Sequence, residues 1–143
     1  MRWARAGAGA VVLTMAMTPI APAADGPEGQ VRDFVAAYNA HDVTRMLTFC
    51  ASDVRWMIVS ADKLSVETSG AEKLAESMRN YFKSLPSTRS ELRSVTVSGN
   101  FVTAIEQAIW ESKGQSRSQC SVSVYEIREG KIQNVWYFPA HGC

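Results

Sequence analysis

The sequence predicts an α+β domain in which three helices pack on a curved, mostly antiparallel sheet. Two observations carry this reading. Apolar residues recur with helical spacing in the first half of the chain, and everything after Pro86 alternates like strand. A third bounds it: 143 residues with 46% hydrophobic and 20% charged residues suit one ordinary globular domain.

The first helix is marked by Val31, Phe34, Val35 and Tyr38, one apolar face at i, i+3, i+4, i+7, ending near Asn39-Ala40-His41. Asp42 is placed to cap a second, shorter helix with Val43, Met46, Leu47 and Cys50 on its inner face. Ala51-Ser52-Asp53 breaks that pattern. Val54 to Val59 and Leu64 to Thr68 form two short strands. Ser69-Gly70-Ala71-Glu72 has capping-box spacing and opens a third helix bearing Leu74, Met78, Tyr81, Phe82 and Leu85, stopped by Pro86. Four strands follow: Leu92 to Val97, Phe101 to Trp110, Gln119 to Ile127 and Ile132 to Phe138. They are joined by Ser98-Gly99-Asn100, a polar turn over Glu111 to Gln115, and Arg128-Glu129-Gly130-Lys131. Such a sheet wrapped on helices leaves one natural cavity between them.

The first two dozen residues stand apart. Arg2 and Arg5 precede an uncharged apolar stretch from Ala6 to Met17, and then come Pro19 and the small-x-small run Ala21-Pro22-Ala23. This order predicts a secretory signal peptide over residues 1–23, a mature domain over 24–143, and a periplasmic or secreted location. No membrane span is expected in the mature chain. Removing Arg2 and Arg5 takes two positive charges from a formal net of +1, leaving about −1, so no basic field attracts nucleic acid. The exported part carries Cys50, Cys120 and Cys143, which allows one disulfide and one leftover thiol without saying which two pair. His41 and His141 have no ligand-like spacing with the cysteines, no C-x-x-C or G-x-S-x-G motif occurs, and no metal or cofactor is expected.

Phe34-Val-Ala-Ala-Tyr38-Asn39-Ala40-His41-Asp42, Met46-Leu47 and Phe49-Cys-Ala-Ser-Asp53-Val54 together resemble the opening of SnoaL-like and ketosteroid isomerase-like domains of the nuclear transport factor 2-like group. Ser69-Gly70 before the third helix fits, as does Tyr125 to Ile132 as a final hairpin followed by an aromatic strand. The resemblance covers roughly Glu28 to Phe138. It implies a cone-like fold, often a homodimer through the sheet. It does not imply one function, since such domains include isomerases, cyclases, dehydratases, epoxide hydrolases and non-catalytic binders. Ketosteroid isomerization needs an Asp base and a Tyr/Asp oxyanion hole. Aligned by hand, those positions fall on Met57, Phe34 and Ser123, so that route is not expected here.

The same alignment predicts a cavity wall, because strand side chains alternate in direction. Met57, Ala104, Ala108, Trp110, Gln119, Ser121, Ser123, Tyr125 and Val135 face inward on this reading, under a roof of Phe34 and Tyr38. Glu106 is the candidate acid or base, in mid-strand among Ile105, Ala108 and Ile109, where burial disfavours a carboxylate's charge. Tyr137 is a candidate partner that orients it or holds a substrate carbonyl. The plain alternative makes Glu106 structural, bonded to a serine or tyrosine or paired with an arginine across a dimer. His41 reads as a turn residue and His141 as part of a frayed tail. Trp56, Trp110 and Trp136 read as core or outer-face packing. Cys120 has no basic partner to make it a nucleophile. The expected function is binding of a small, largely apolar molecule, with or without acid/base chemistry of isomerase, lyase or hydrolase type. The alternative is an assembly module pairing through its sheet face, with Trp136 and Phe138 exposed for it.

Overall fold

The computed structural model describes residues 26–143, and the expected signal peptide lies outside the described residues. The chain runs α1 (Gly26–Asn39), α2 (Val43–Thr48), β1 (Cys50–Ser60), β2 (Lys63–Ser69), α3 (Ala71–Ser84), β3 (Arg89–Ser98), β4 (Phe101–Ser112), β5 (Gln115–Arg128) and β6 (Lys131–Tyr137). One six-stranded sheet has the order β2-β1-β6-β5-β4-β3. Every neighbouring pair is antiparallel except β1 with β6. The architecture is α+β with a curved, mostly antiparallel sheet, as the periodicity predicts. The helices are not all N-terminal, however: α3 follows the first hairpin and links β2 to β3.

α1 buries Val31, Phe34 and Val35 of its predicted stripe, together with Ala37, while Tyr38 is half-buried. Asp42 caps α2, its carboxylate accepting from the Arg45 N–H at 2.9 Å. The capping box at α3 is not used. Ser69 ends β2, and Gly70 is the N-cap with no side-chain bond. Its φ of 95° suits glycine, and its N–H donates to the Val54 carbonyl at 2.8 Å. That strand-end bond already orders the turn.

Several strands exceed their predicted bounds. β1 starts at Cys50, so Ala51 to Asp53 continue it, and β3 starts at Arg89. The β4–β5 turn narrows to Lys113-Gly114, and Glu129-Gly130 joins β5 to β6. All four residues have positive φ, the geometry a tight two-residue hairpin requires. The core lies between the helices and one sheet face. Phe34, Met46, Val54, Leu74, Tyr125 and Ile132 are among its fully buried members.

After β6 the chain does not fray. Phe138 donates to the Val122 carbonyl, and His141 and Cys120 exchange both backbone hydrogen bonds, at 2.9 and 2.8 Å. A disulfide joins Cys120 to Cys143, which settles the pairing and leaves Cys50 as a buried free thiol. Burial pushes the Cys50 thiol up to about 12, opposed weakly by Lys131.

Candidate functional site

Strand register decides what the sheet presents to the helices. Glu106 on β4 lies opposite Ser121 on β5, Ala104 opposite Ser123, and Ala108 opposite Gln119. On the next strand Tyr125 faces Val135 and Ser123 faces Tyr137. The predicted inward faces of β4, β5 and β6 therefore coincide. β1 is the exception. Trp56 pairs with Val135 and Ile58 with Tyr137, so these two share the inward face. Met57 pairs with Trp136 and points the other way, packed to 2% exposure on the opposite side of the sheet. A one-residue slip turns a strand over, and β1 carries a register shift at Trp56/Met57.

A cavity of about 410 Å³ opens between this face and the helices. Phe34 and Tyr38 roof it from α1, and Met78 and Tyr81 close it from α3. Glu106, Ala108, Gln119, Ser121 and Tyr137 line its sheet wall, as expected. Ala104, Ser123, Tyr125 and Val135 lie on the same face but are buried to 1% exposure or less and form the floor beneath it. Trp110 is beyond the cavity, toward the end of β4 opposite Arg117. Trp56 does line it, stacked on Tyr137 with ring centres 5.2 Å apart. The tail residues Phe138, Pro139 and Ala140 form part of its rim, so Phe138 belongs to the cavity rather than to the outer sheet face.

Glu106 is 9% exposed and accepts three hydrogen bonds. Ser90 donates to Oε1 at 2.5 Å, while Tyr125 and Tyr137 both donate to Oε2 at 2.9 Å. The two phenol oxygens are themselves 3.0 Å apart. Among the described residues no ion pair includes Glu106, and no lysine, arginine or histidine lines the cavity. Burial, and then the Glu106 charge, holds both the Tyr125 and Tyr137 hydroxyls well above the ordinary phenol range. They remain proton donors at neutral pH, which orients the carboxylate. Ser123, on the floor, has a buried hydroxyl with no partner.

Ser90 is the residue sequence reading missed. It lies in the polar run Ser87 to Glu91, which offers no alternation, and so it fell before the predicted start of β3. What places it is α1. Asn39 clamps the Ser90 backbone in both directions, Nδ2 donating to its carbonyl at 2.9 Å and Oδ1 accepting from its N–H at 2.7 Å. His41 bonds the Thr88 carbonyl through Nε2 at 2.9 Å and stacks on Phe82, a positioning task consistent with its place in the turn. The Thr88 hydroxyl meets both Tyr38 and Tyr81, at 3.0 and 3.3 Å. Burial raises the Tyr38 hydroxyl above its ordinary value, so it too stays protonated.

Fold and site together define an α+β cone with a partly open, aromatic-lined cavity and a buried carboxylate, Glu106, on its wall, a form suited to small molecules. A family model described as "SnoaL-like domain" matches residues 31–135, and the chain belongs to this family. No curated protein matches it. Among solved structures it is similar to an uncharacterized cystatin fold protein from Novosphingobium aromaticivorans, with 20% identity over 79% of this chain and 97% of that one, at a TM-score of 0.70. It is also similar to AclR, a putative hydroxylase from Streptomyces galilaeus (17% identity, 83% and 91% covered, TM-score 0.63). TerC, co-crystallized with polyporic acid, is a third (16% identity, 78% and 88% covered, TM-score 0.65). At these identities the likeness is one of fold. Among the described residues no helix is long and apolar enough to cross a membrane, and no group of three or more potential ligands could hold a metal ion.

Proposed function

We propose that this SnoaL-like domain is an exported protein that binds a small, largely apolar molecule in its cone cavity, with Glu106 as the polar anchor. One observation carries the reading: the cavity is open, and a carboxylate on its wall, Glu106, is held by three hydroxyl donors. A carboxylate held this way can also take a proton from a bound molecule or return one, which is the acid/base version of the same proposal. TerC, a protein of similar fold that was co-crystallized with polyporic acid, supports a small-molecule reading of the domain.

A neutral fluorescent probe tests it. 1-Aminoanthracene should bind with quenching of Trp56, which lines the cavity. Ala108→Phe, which fills the cavity from the sheet wall, should abolish that binding while leaving the fold intact. Equal binding by the variant would place the probe elsewhere and contradict the proposal.

The second reading is a non-catalytic interaction or assembly module that dimerises through the opposite sheet face. The Phe101–Trp136 pair, with ring centres 6.5 Å apart, favours that face. A monomeric mass in light scattering would rule it out.

A further inference from the structure

We infer that the molecule taken by this cavity is an organic cation, a protonated or quaternary amine attached to an apolar body. This rests on the cavity being a ligand site and goes further by naming the ligand's charge.

Three independent features converge on it. First, Glu106 is a nearly buried carboxylate that no cationic side chain pairs with among the described residues. Its three partners are hydroxyls, which donate to it but bring no positive charge. Second, among the described residues no basic side chain lines the cavity, so none of them competes with a ligand's positive charge or supplies one to an anion. Third, the walls are rich in aromatic rings. Phe34 and Tyr38 lie above, Trp56 and Tyr137 are stacked together at the side, and Tyr81 closes α3's edge. Ring faces carry negative potential and attract ammonium groups, most strongly where water is excluded. The remaining polar groups, Gln119 and Ser121, stand on the wall beside Glu106 and are neutral. An ammonium group placed against Glu106 would meet a carboxylate on one side and aromatic side chains around it. A neutral ligand would use only the apolar part of this environment, and a carboxylate or phosphate ligand would be repelled.

Three probes of similar size separate these cases in the whole protein: benzyltrimethylammonium, its neutral carbon isostere neopentylbenzene, and the anion phenylacetate. The cation should bind about tenfold more tightly than the isostere, from ion pairing and ring contacts combined. Phenylacetate should not bind. Glu106→Gln keeps the shape of the side chain and removes its charge, and should abolish the preference for the cation without weakening neopentylbenzene. Because the comparison of cation and isostere is made first on the unaltered protein, it stands even if the variant folds poorly. Equal affinity for the two, or preference for the isostere or for phenylacetate, would overturn the inference while leaving an apolar-molecule cavity in place. Failure of all three probes together with 1-aminoanthracene would overturn both.

Discussion

Glu106 stands out in the sequence because it interrupts an apolar alternation, and the structure gives the interruption a cause: three hydroxyls converge on it. Removing one donor leaves a buried carboxylate partly unsatisfied. Ser90→Ala should therefore lower stability by about 1–3 kcal/mol in urea unfolding, and Tyr137→Phe by a similar amount. If both cost nothing, the hydroxyls do not hold the carboxylate. Ser90 itself was not legible, because nothing local in Thr88-Arg89-Ser90-Glu91 distinguishes a strand start from a loop. Its position depends on Asn39, 51 residues earlier. Met57 shows the opposite failure. Alternation predicts that a strand has two faces, but only the pairing with β6 shows which residue belongs to which.

Among the elements, the helices were the most legible. The apolar stripe of α1 and the Asp42 cap of α2 are local signals, and both hold. The capping box of α3 failed because a strand-end bond from Gly70 to Val54 fixes the same turn from a distance. The joint between α1 and β3 also matters for the site. Asn39→Ala removes both side-chain bonds to the Ser90 backbone and should cost about 1–3 kcal/mol. It should also loosen ligand binding, although Asn39 does not line the cavity. Unchanged binding would separate this clamp from the site. The start of β1 is illegible because Ala51-Ser52-Asp53 lie where the pairing with β6 shifts register between Cys50 and Arg55, so they carry no alternation.

At the scale of the whole molecule, two devices hold the cone together. The Cys120–Cys143 disulfide ties the tail that forms part of the cavity rim. Cys143→Ser should lower stability by about 3 kcal/mol, as loop closure over a 23-residue separation implies, and should weaken 1-aminoanthracene binding. Unchanged binding would show that the tail does not shape the site. The pairing itself was illegible, since three cysteines allow three choices and only the returning tail brings two together. Buried hydroxyls and the Cys50 thiol set the alkaline limit. Folding raises Tyr125, Tyr137 and Cys50 above their unfolded values, so their contribution is complete below about pH 9 and is lost as pH rises. The unfolded chain then releases protons that the folded chain keeps. Urea unfolding should show stability falling above about pH 9, by up to roughly 1.4 kcal/mol per pH unit for each group titrating. A flat profile to about pH 11 would contradict the burial of these groups.

The central claim is that the cavity between Glu106 and the aromatic roof holds a ligand. A crystal structure of the protein soaked with benzyltrimethylammonium tests it most directly. The account predicts density for the ammonium beside the Glu106 carboxylate, with the ring against Trp56 and Phe34. Density only on the outer sheet face, or an empty cavity at saturating probe, would contradict it.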